Sequence, residues 1–149
     1  MEIVQADKND IPELYRLQLL AFESEAEMIG SRDVPALQES EEENERDFSN
    51  WVTWKMINEE GAIIGAIRYR RESGILEVGR LMIHPEYRHQ GLAQQLLSEI
   101  DRKYPGEIRE LYTCTKSWIN IRLYEKMGYQ KYREHTEGSG LSFVYMRKE

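Results

Sequence analysis

Residues 80–100 read RLMIHPEYRHQGLAQQLLSEI, and how this stretch is divided decides the fold. Leu81, Met82 and Ile83 form an apolar run that His84-Pro85 ends, because proline has no amide hydrogen for a sheet ladder. Beyond Gly91, the spacing of Leu92, Leu96 and Ile100 predicts a helix. A strand therefore passes through Arg88-x-x-Gly91-x-Ala93 straight into a helix. The N-terminus of a helix leaves amide hydrogens without partners and carries partial positive charge, so a phosphate there satisfies both. Gly91 removes the side chain that would hold an anion off the backbone, and Ala93 is the next smallest choice. Arg88 can add a charge-assisted contact, and His89 and Gln90 can contribute backbone amides. The spacing suits a pyrophosphate. A lone glycine here can also simply open a helix, so the rest of the chain has to decide.

Working outward, EIVQA at the N-terminus reads as a short strand, and Asp10-Ile-Pro-Glu13 as N-cap, early proline and capping-box acid of a helix from Ile11 to Phe22. Residues 31–50 are dense in acid and read as a second, poorly amphipathic helix flanked by loops. Val52, Trp54 and Met56 alternate with polar neighbours, NEEG turns the chain and AIIGAIRY returns it, which predicts a hairpin. GILEVGRLMI, Gly74 to Ile83, is the fourth strand and IRELYTC, Ile108 to Cys114, the fifth. SWINIRLYEKM is a helix stopped by Gly128, and Leu141, Phe143 and Tyr145 mark a final strand. Strand four, helix and strand five form a parallel unit with a right-handed crossover. The reading is a single α/β (α+β) domain over residues 1–149, its sheet mixed and mostly antiparallel, with helices packed on it.

A chain of 149 residues fits one domain, and such a domain buries about 68 to 70% of the surface its unfolded chain exposes. The net charge of -7 argues against non-specific binding to nucleic acid or anionic membrane. A cationic small partner is the better electrostatic match. One cysteine, Cys114, excludes an internal disulfide, and three His make a Cys/His metal cage unexpected, so no metal is called. The first residues lack a basic segment followed by an apolar one, and no run approaches the ~20 apolar residues of a membrane span. The expected compartment is the cytoplasm.

A Walker loop needs Gly-Lys-Ser/Thr after its glycine-rich turn, and a dinucleotide fold needs Gly-x-Gly-x-x-Gly near the first strand; neither is present. Arg88-His89-Gln90-Gly91-Leu92-Ala93 instead resembles the signature of the GCN5-related N-acetyltransferases: Arg or Gln, two residues, Gly, one residue, Gly or Ala, at a strand-to-helix junction. RLYEKMGY, Arg122 to Tyr129, resembles the Leu-Tyr-x-Lys-x-Gly-Phe/Tyr ending of that family's helix after the fifth strand. Two motifs in order are far more specific than one, and the element order resembles the family's along essentially the whole chain.

The resemblance implies that strands four and five splay apart, with helices on both faces of the sheet and acetyl-CoA in the gap as cosubstrate. Its pyrophosphate is then expected on the amides of His89, Gln90, Gly91, Leu92, Ala93 and Gln94. Its pantetheine arm is expected along the edge of Leu81, Met82 and Ile83, one of whose amides can polarise the thioester carbonyl. Tyr124 matches the family's leaving-group acid, a phenol that stays protonated at neutral pH and can quench the departing thiolate. By residues alone Tyr124 also reads as a core aromatic. Glu77 matches the position at which part of the family carries a glutamate base; it equally reads as a solvated strand residue or a partner for Arg80. Ser117 holds the place of a polar residue that binds pantetheine or orders the loop, and Asn120, one turn later, can do the same; Ser117 also reads as an N-cap. Cys114 reads as a small buried residue, so direct transfer in a ternary complex is preferred to an acyl-enzyme.

The acceptor is expected against the first two helices and last strands, near Glu23, Glu25, Glu27 and the run Glu41 to Asp47. Such carboxylates suit a small cationic amine, and an acidic run also reads as a solvated helix face. Trp51, Trp54 and Trp118 serve equally as pocket walls or core. The partners expected are acetyl-CoA and an amine, in a monomer or homodimer. Competing readings are an acyl-CoA-binding sensor without chemistry, a transferase acting on a protein N-terminus or lysine, and a phosphate binder of another fold.

Overall fold

The computed structural model describes residues 1–149. Seven strands form one sheet in the order β1-β2-β3-β4-β5-β7-β6, built from β1 (Glu2–Gln5), β2 (Val52–Ile57), β3 (Ile63–Glu72), β4 (Ile75–Ile83), β5 (Arg109–Cys114), β6 (Gln130–Thr136) and β7 (Ser142–Lys148). Every pair is antiparallel except β4 with β5. This is the mixed sheet that the fourth and fifth strands imply. The helices are α1 (Ile11–Ile29), α2 (Pro35–Gln38), α3 (Glu41–Phe48), α4 (Leu92–Lys103) and α5 (Trp118–Lys126).

Alternate residues of a strand face opposite sides of the sheet, and each side has its own helical cover. On one, Leu14, Leu17 and Ala21 of α1 pack on Ala66 and Met82. On the other, Leu92, Leu96, Leu97 and Ile100 of α4, with Ile121 and Tyr124 of α5, close over Met56, Ile64, Ile67 and Val78. Leu96 and Ile100 are fully buried, so the helical spacing after Gly91 marks the face that seats α4.

The structure departs from the local expectations or adds to them at four points. The first helix runs two turns past Phe22 to Ile29, because Ala26 and Ile29 stay buried within a polar stretch and Gly30, at φ 75, supplies the left-handed cap. Its predicted capping box is not formed: Asp10 accepts from the Asp7 amide at 2.9 Å and from Lys55 Nζ at 2.9 Å, while Glu13 accepts from the Ile63 amide at 2.8 Å. Residues 31–50 form two short helices rather than one, separated at Glu39 and Ser40, where Ser40 and Glu43 build the capping box of α3. The last strand has a partner, β6, whose seven residues are all exposed. With neither face buried it carries no apolar alternation.

Candidate active site

The parallel ladder between β4 and β5 holds only Leu76↔Arg109 and Glu77↔Glu110. Beyond Glu77 the strands part. A bulge in β4 accompanies the parting: the pairs Ala66↔Met82 and Arg68↔Gly79 leave Ile67 alone opposite both Arg80 and Leu81. Such an extra residue bends its strand and increases its twist. Arg80 takes φ 45, a left-handed conformation uncommon outside glycine, and its guanidinium donates to Glu39 Oε1 at 2.9 Å.

The parted strands open a cleft of about 450 Å³ between α1 and the first turn of α4, walled by Phe22, Met28, Leu81, Ile83 and Leu123. At its α4 end, no backbone N–H from Arg88 to Gln94 donates within the chain, and the first helical bond runs from the Gln95 amide to Gly91 O at 3.1 Å. His89 at φ 63 and Gly91 at φ 74 are both left-handed, a backbone pattern of the kind from which anion-binding concavities are made. A Cβ at Gly91 would meet nothing within 4 Å, so the space above the amides is open. Leu81, Met82, Ile83, Arg88, His89, Gly91, Leu92, Ala93, Gln94 and Asn120 all line this cleft; Gln90 and Ser117 do not. The Arg88 side chain donates to the Ala21 carbonyl at 3.2 Å, tying the loop to α1 rather than reaching over the amides.

A second cavity of about 100 Å³ lies on the α1 side of the splay and shares Phe22, Glu25, Leu81 and Asn120 with the cleft. Tyr124 and Glu77 both line it. Burial pushes the Tyr124 phenol well above its ordinary pKa, and the nearby Glu25 carboxylate and Tyr129 push the same way. Its hydroxyl therefore stays protonated at neutral pH. Glu77 Oε2 accepts from Arg70 Nε at 3.1 Å, so its partner is Arg70 and not Arg80.

Glu25, on α1, is the carboxylate at the junction. It accepts from Asn120 Nδ2 at 3.2 Å and Thr113 Oγ1 at 3.4 Å. Burial raises its pKa, and Ser117, Thr113 and Asn120 act against that rise. Ser117 stands at the N-cap of α5 without capping it; wholly buried, its hydroxyl forms no well-shaped hydrogen bond and lies by Glu25. Glu23 is taken by Arg32, Glu27 is exposed, and the first turn of α3 is a solvated acidic face. Asp47 turns inward, accepting from Trp51 Nε1 at 3.1 Å and pairing with Arg68. The three tryptophans divide: Trp51 lines the smaller cavity, Trp54 is core and Trp118 is 55% exposed. Cys114 is buried with Ile29, Val34, Leu141 and Phe143. No group of three or more His, Cys, Asp or Glu side chains is placed to hold a metal ion.

Glu25 appears in the sequence only as one of several acids. The helical run to Ile29, ended by Gly30, is the signal that would have set it on α1 facing the sheet. Arg68 and Arg80 of the smaller cavity were not legible, because strand residues at a bulge leave the simple alternation of faces.

Comparison with known proteins agrees with this architecture. Residues 18–149 match the family model described as acetyltransferase (GNAT) domain. The curated UPF0157 protein YqkA of Bacillus subtilis (strain 168) is 28% identical over 130 residues, which are 87% of this chain and 37% of YqkA. The chain thus spans little more than a third of that relative. Among solved structures, the PaiA N-acetyltransferase of Thermoplasma acidophilum in complex with coenzyme A superposes with TM-score 0.80 at 21% identity, covering 99% of this chain and 98% of that one. The ribosomal-protein-S18-alanine N-acetyltransferase of Escherichia coli gives 0.78 at 16%, covering 99% and 92%. The spermidine N-acetyltransferase SpeG of Vibrio cholerae gives 0.74 at 16%, covering 99% and 94%.

Proposed function

The chain belongs to the GNAT acetyltransferase family, and from that premise we propose that it moves an acetyl group from acetyl-CoA to the primary amine of a small cationic acceptor, by direct attack in a ternary complex. The observation that carries this reading is the meeting of two cavities: a long cleft with free amides at its far end, and a small pocket sharing Glu25, Leu81 and Asn120 with it. The free amides suit a pyrophosphate, and the unpaired β4 edge suits an extended pantetheine arm. The thioester then falls where the cavities join.

At that junction each group has a task. An acceptor ammonium must lose a proton before it attacks. Of the two carboxylates facing the pocket, Glu77 is engaged by Arg70, whereas Glu25 is half-buried, raised in pKa and beside Tyr124. A carboxylate with a raised pKa is the stronger base near neutrality, so we assign the proton-accepting role to Glu25. The amine nitrogen bonds to the acetyl carbon while a β4 amide stabilises the charge growing on the carbonyl oxygen. The carbon–sulfur bond breaks as the nitrogen gives up its second proton to water, the thiolate takes the Tyr124 proton, and Tyr124 is reprotonated from water while Glu25 releases its proton to solvent.

The test is release of free CoA thiol from acetyl-CoA, with product identified by mass, across polyamines, amino acids and basic peptides, against a control without amine. Amine-dependent release with an acetylated product supports the transferase. CoA binding with no release for any amine would favour a sensor and overturn it.

A further inference from the structure

The smaller cavity carries a guanidinium whose hydrogen bonds the chain leaves unfilled. Arg68, on β3, lines this cavity, and its side chain is only 15% exposed. Its Nε is buried without a hydrogen-bond partner. Its ion pair is with Asp47, at 3.5 Å from Nη1, and that carboxylate already accepts from Trp51 Nε1 and Asn50 Nδ2. The neighbouring Arg80 is satisfied, by Glu39 at 2.9 Å. The Arg68 guanidinium lies 4.0 Å over the Trp51 ring, which holds its plane fixed. Across the sheet from Arg68 stands Gly79, also lining the cavity, so no side chain fills the space above that point of β4.

A guanidinium with a buried, unpartnered Nε–H is costly, and the usual remedy is a planar anion that can take two of its hydrogen bonds. The burial that favours its neutral form, with Arg80 adding repulsion, depresses its pKa to about 10, so it is still a cation at neutral pH. The same cavity is lined by Glu25, at its junction with the cleft and suited to an ammonium, whereas Arg68 does not reach the cleft. We propose that the acceptor is an amino acid, its amine at Glu25 and its carboxylate on Arg68. This rests on the transferase reading above and narrows its acceptor from any small cationic amine to one bearing a carboxylate. The two opposite charges of the pocket then set the direction in which the acceptor enters, and a polyamine is rejected at the Arg68 end by like charge.

The experiment is thiol release with matched acceptors: α-, β- and γ-amino acids, each beside its own carboxamide, which keeps the shape and loses the negative charge. The wild-type chain is expected to prefer one free acid over its amide by about tenfold or more in kcat/KM. In Arg68→Met, that preference is expected to collapse to near unity, with CoA affinity unchanged as proof of folding. Gly79→Ala is the second variant: its Cβ would sit 3.8 Å from the Trp51 ring and 4.0 Å from Arg68 Nε, contacts a fold accepts, while occupying the carboxylate's place. A rise in KM for the amino acid is expected. Equal rates for acid and amide in the wild type, or an undiminished preference in Arg68→Met, would overturn the amino-acid assignment while leaving the transferase standing. No release with any acceptor would overturn both.

Discussion

At the scale of single residues, a buried phenol, Tyr124, and a half-buried carboxylate, Glu25, meet in one junction. Tyr124 lacks water and lies beside a carboxylate, so its hydroxyl stays protonated across the range in which an amine can attack. Tyr124→Phe is expected to lower kcat by about 10²-fold or more while leaving the Kd for CoA within a factor of about two; an unchanged kcat at saturating substrates would remove the proton-donor role. Glu25 behaves in the opposite sense from a salt-bridged carboxylate. Its folded pKa lies above that of an ordinary glutamate, so the folded chain binds more protons than the unfolded one in that interval, and stability falls as pH rises through it. At pH 8 the ionised, half-buried group is a net cost. Glu25→Gln is therefore expected to raise Tm at pH 8, by roughly 2 °C or more, and to abolish most turnover. Glu77→Gln should affect turnover less; equal loss in the two variants would return the base to Glu77. The acidic limb of the pH–rate profile should lie above the usual carboxylate range and vanish with Glu25.

At the scale of elements, the junction between β4 and α4 was legible because one physical demand dictates its residues: an anion can approach backbone amides only where side chains are absent. That demand leaves a trace, Gly91 and Ala93, which local sequence preserves. Gly91→Glu is expected to weaken CoA binding by about tenfold or more in a direct binding titration, since its carboxylate would occupy the open space above the amides. Normal affinity would exclude the anion seat. Leu96, wholly buried beneath the same helix, tests packing instead: Leu96→Ala is expected to cost about 2 to 5 kcal/mol in denaturant unfolding. What could not be read was of a different kind. β6 is exposed on all seven residues and is held by its backbone pairing to β7, which no side-chain pattern reports. The bulge at Arg80 and Leu81 is a matter of register between strands far apart in sequence, and so is the presence of Arg68 in the pocket. Glu25 was visible as an acid near the acceptor zone, but its selection from Glu23 and Glu27 depends on Asn120 and Thr113, some 90 residues away.

At the scale of the molecule, the sheet does two jobs by failing to pair along its whole width. Pairing at Leu76 and Glu77 holds the halves together, and the parting beyond them supplies both cavities and the passage between them. The cavities join, so both substrates are held at once in the proposed mechanism; Cys114 lines the smaller cavity but is only 2% exposed, within an apolar cluster. The most direct measurement is therefore the initial rate of thiol release with acetyl-CoA and acceptor amine varied together. The account predicts release that depends on the amine and double-reciprocal lines that intersect, as for a ternary complex. Parallel lines, or release independent of the amine, would contradict it.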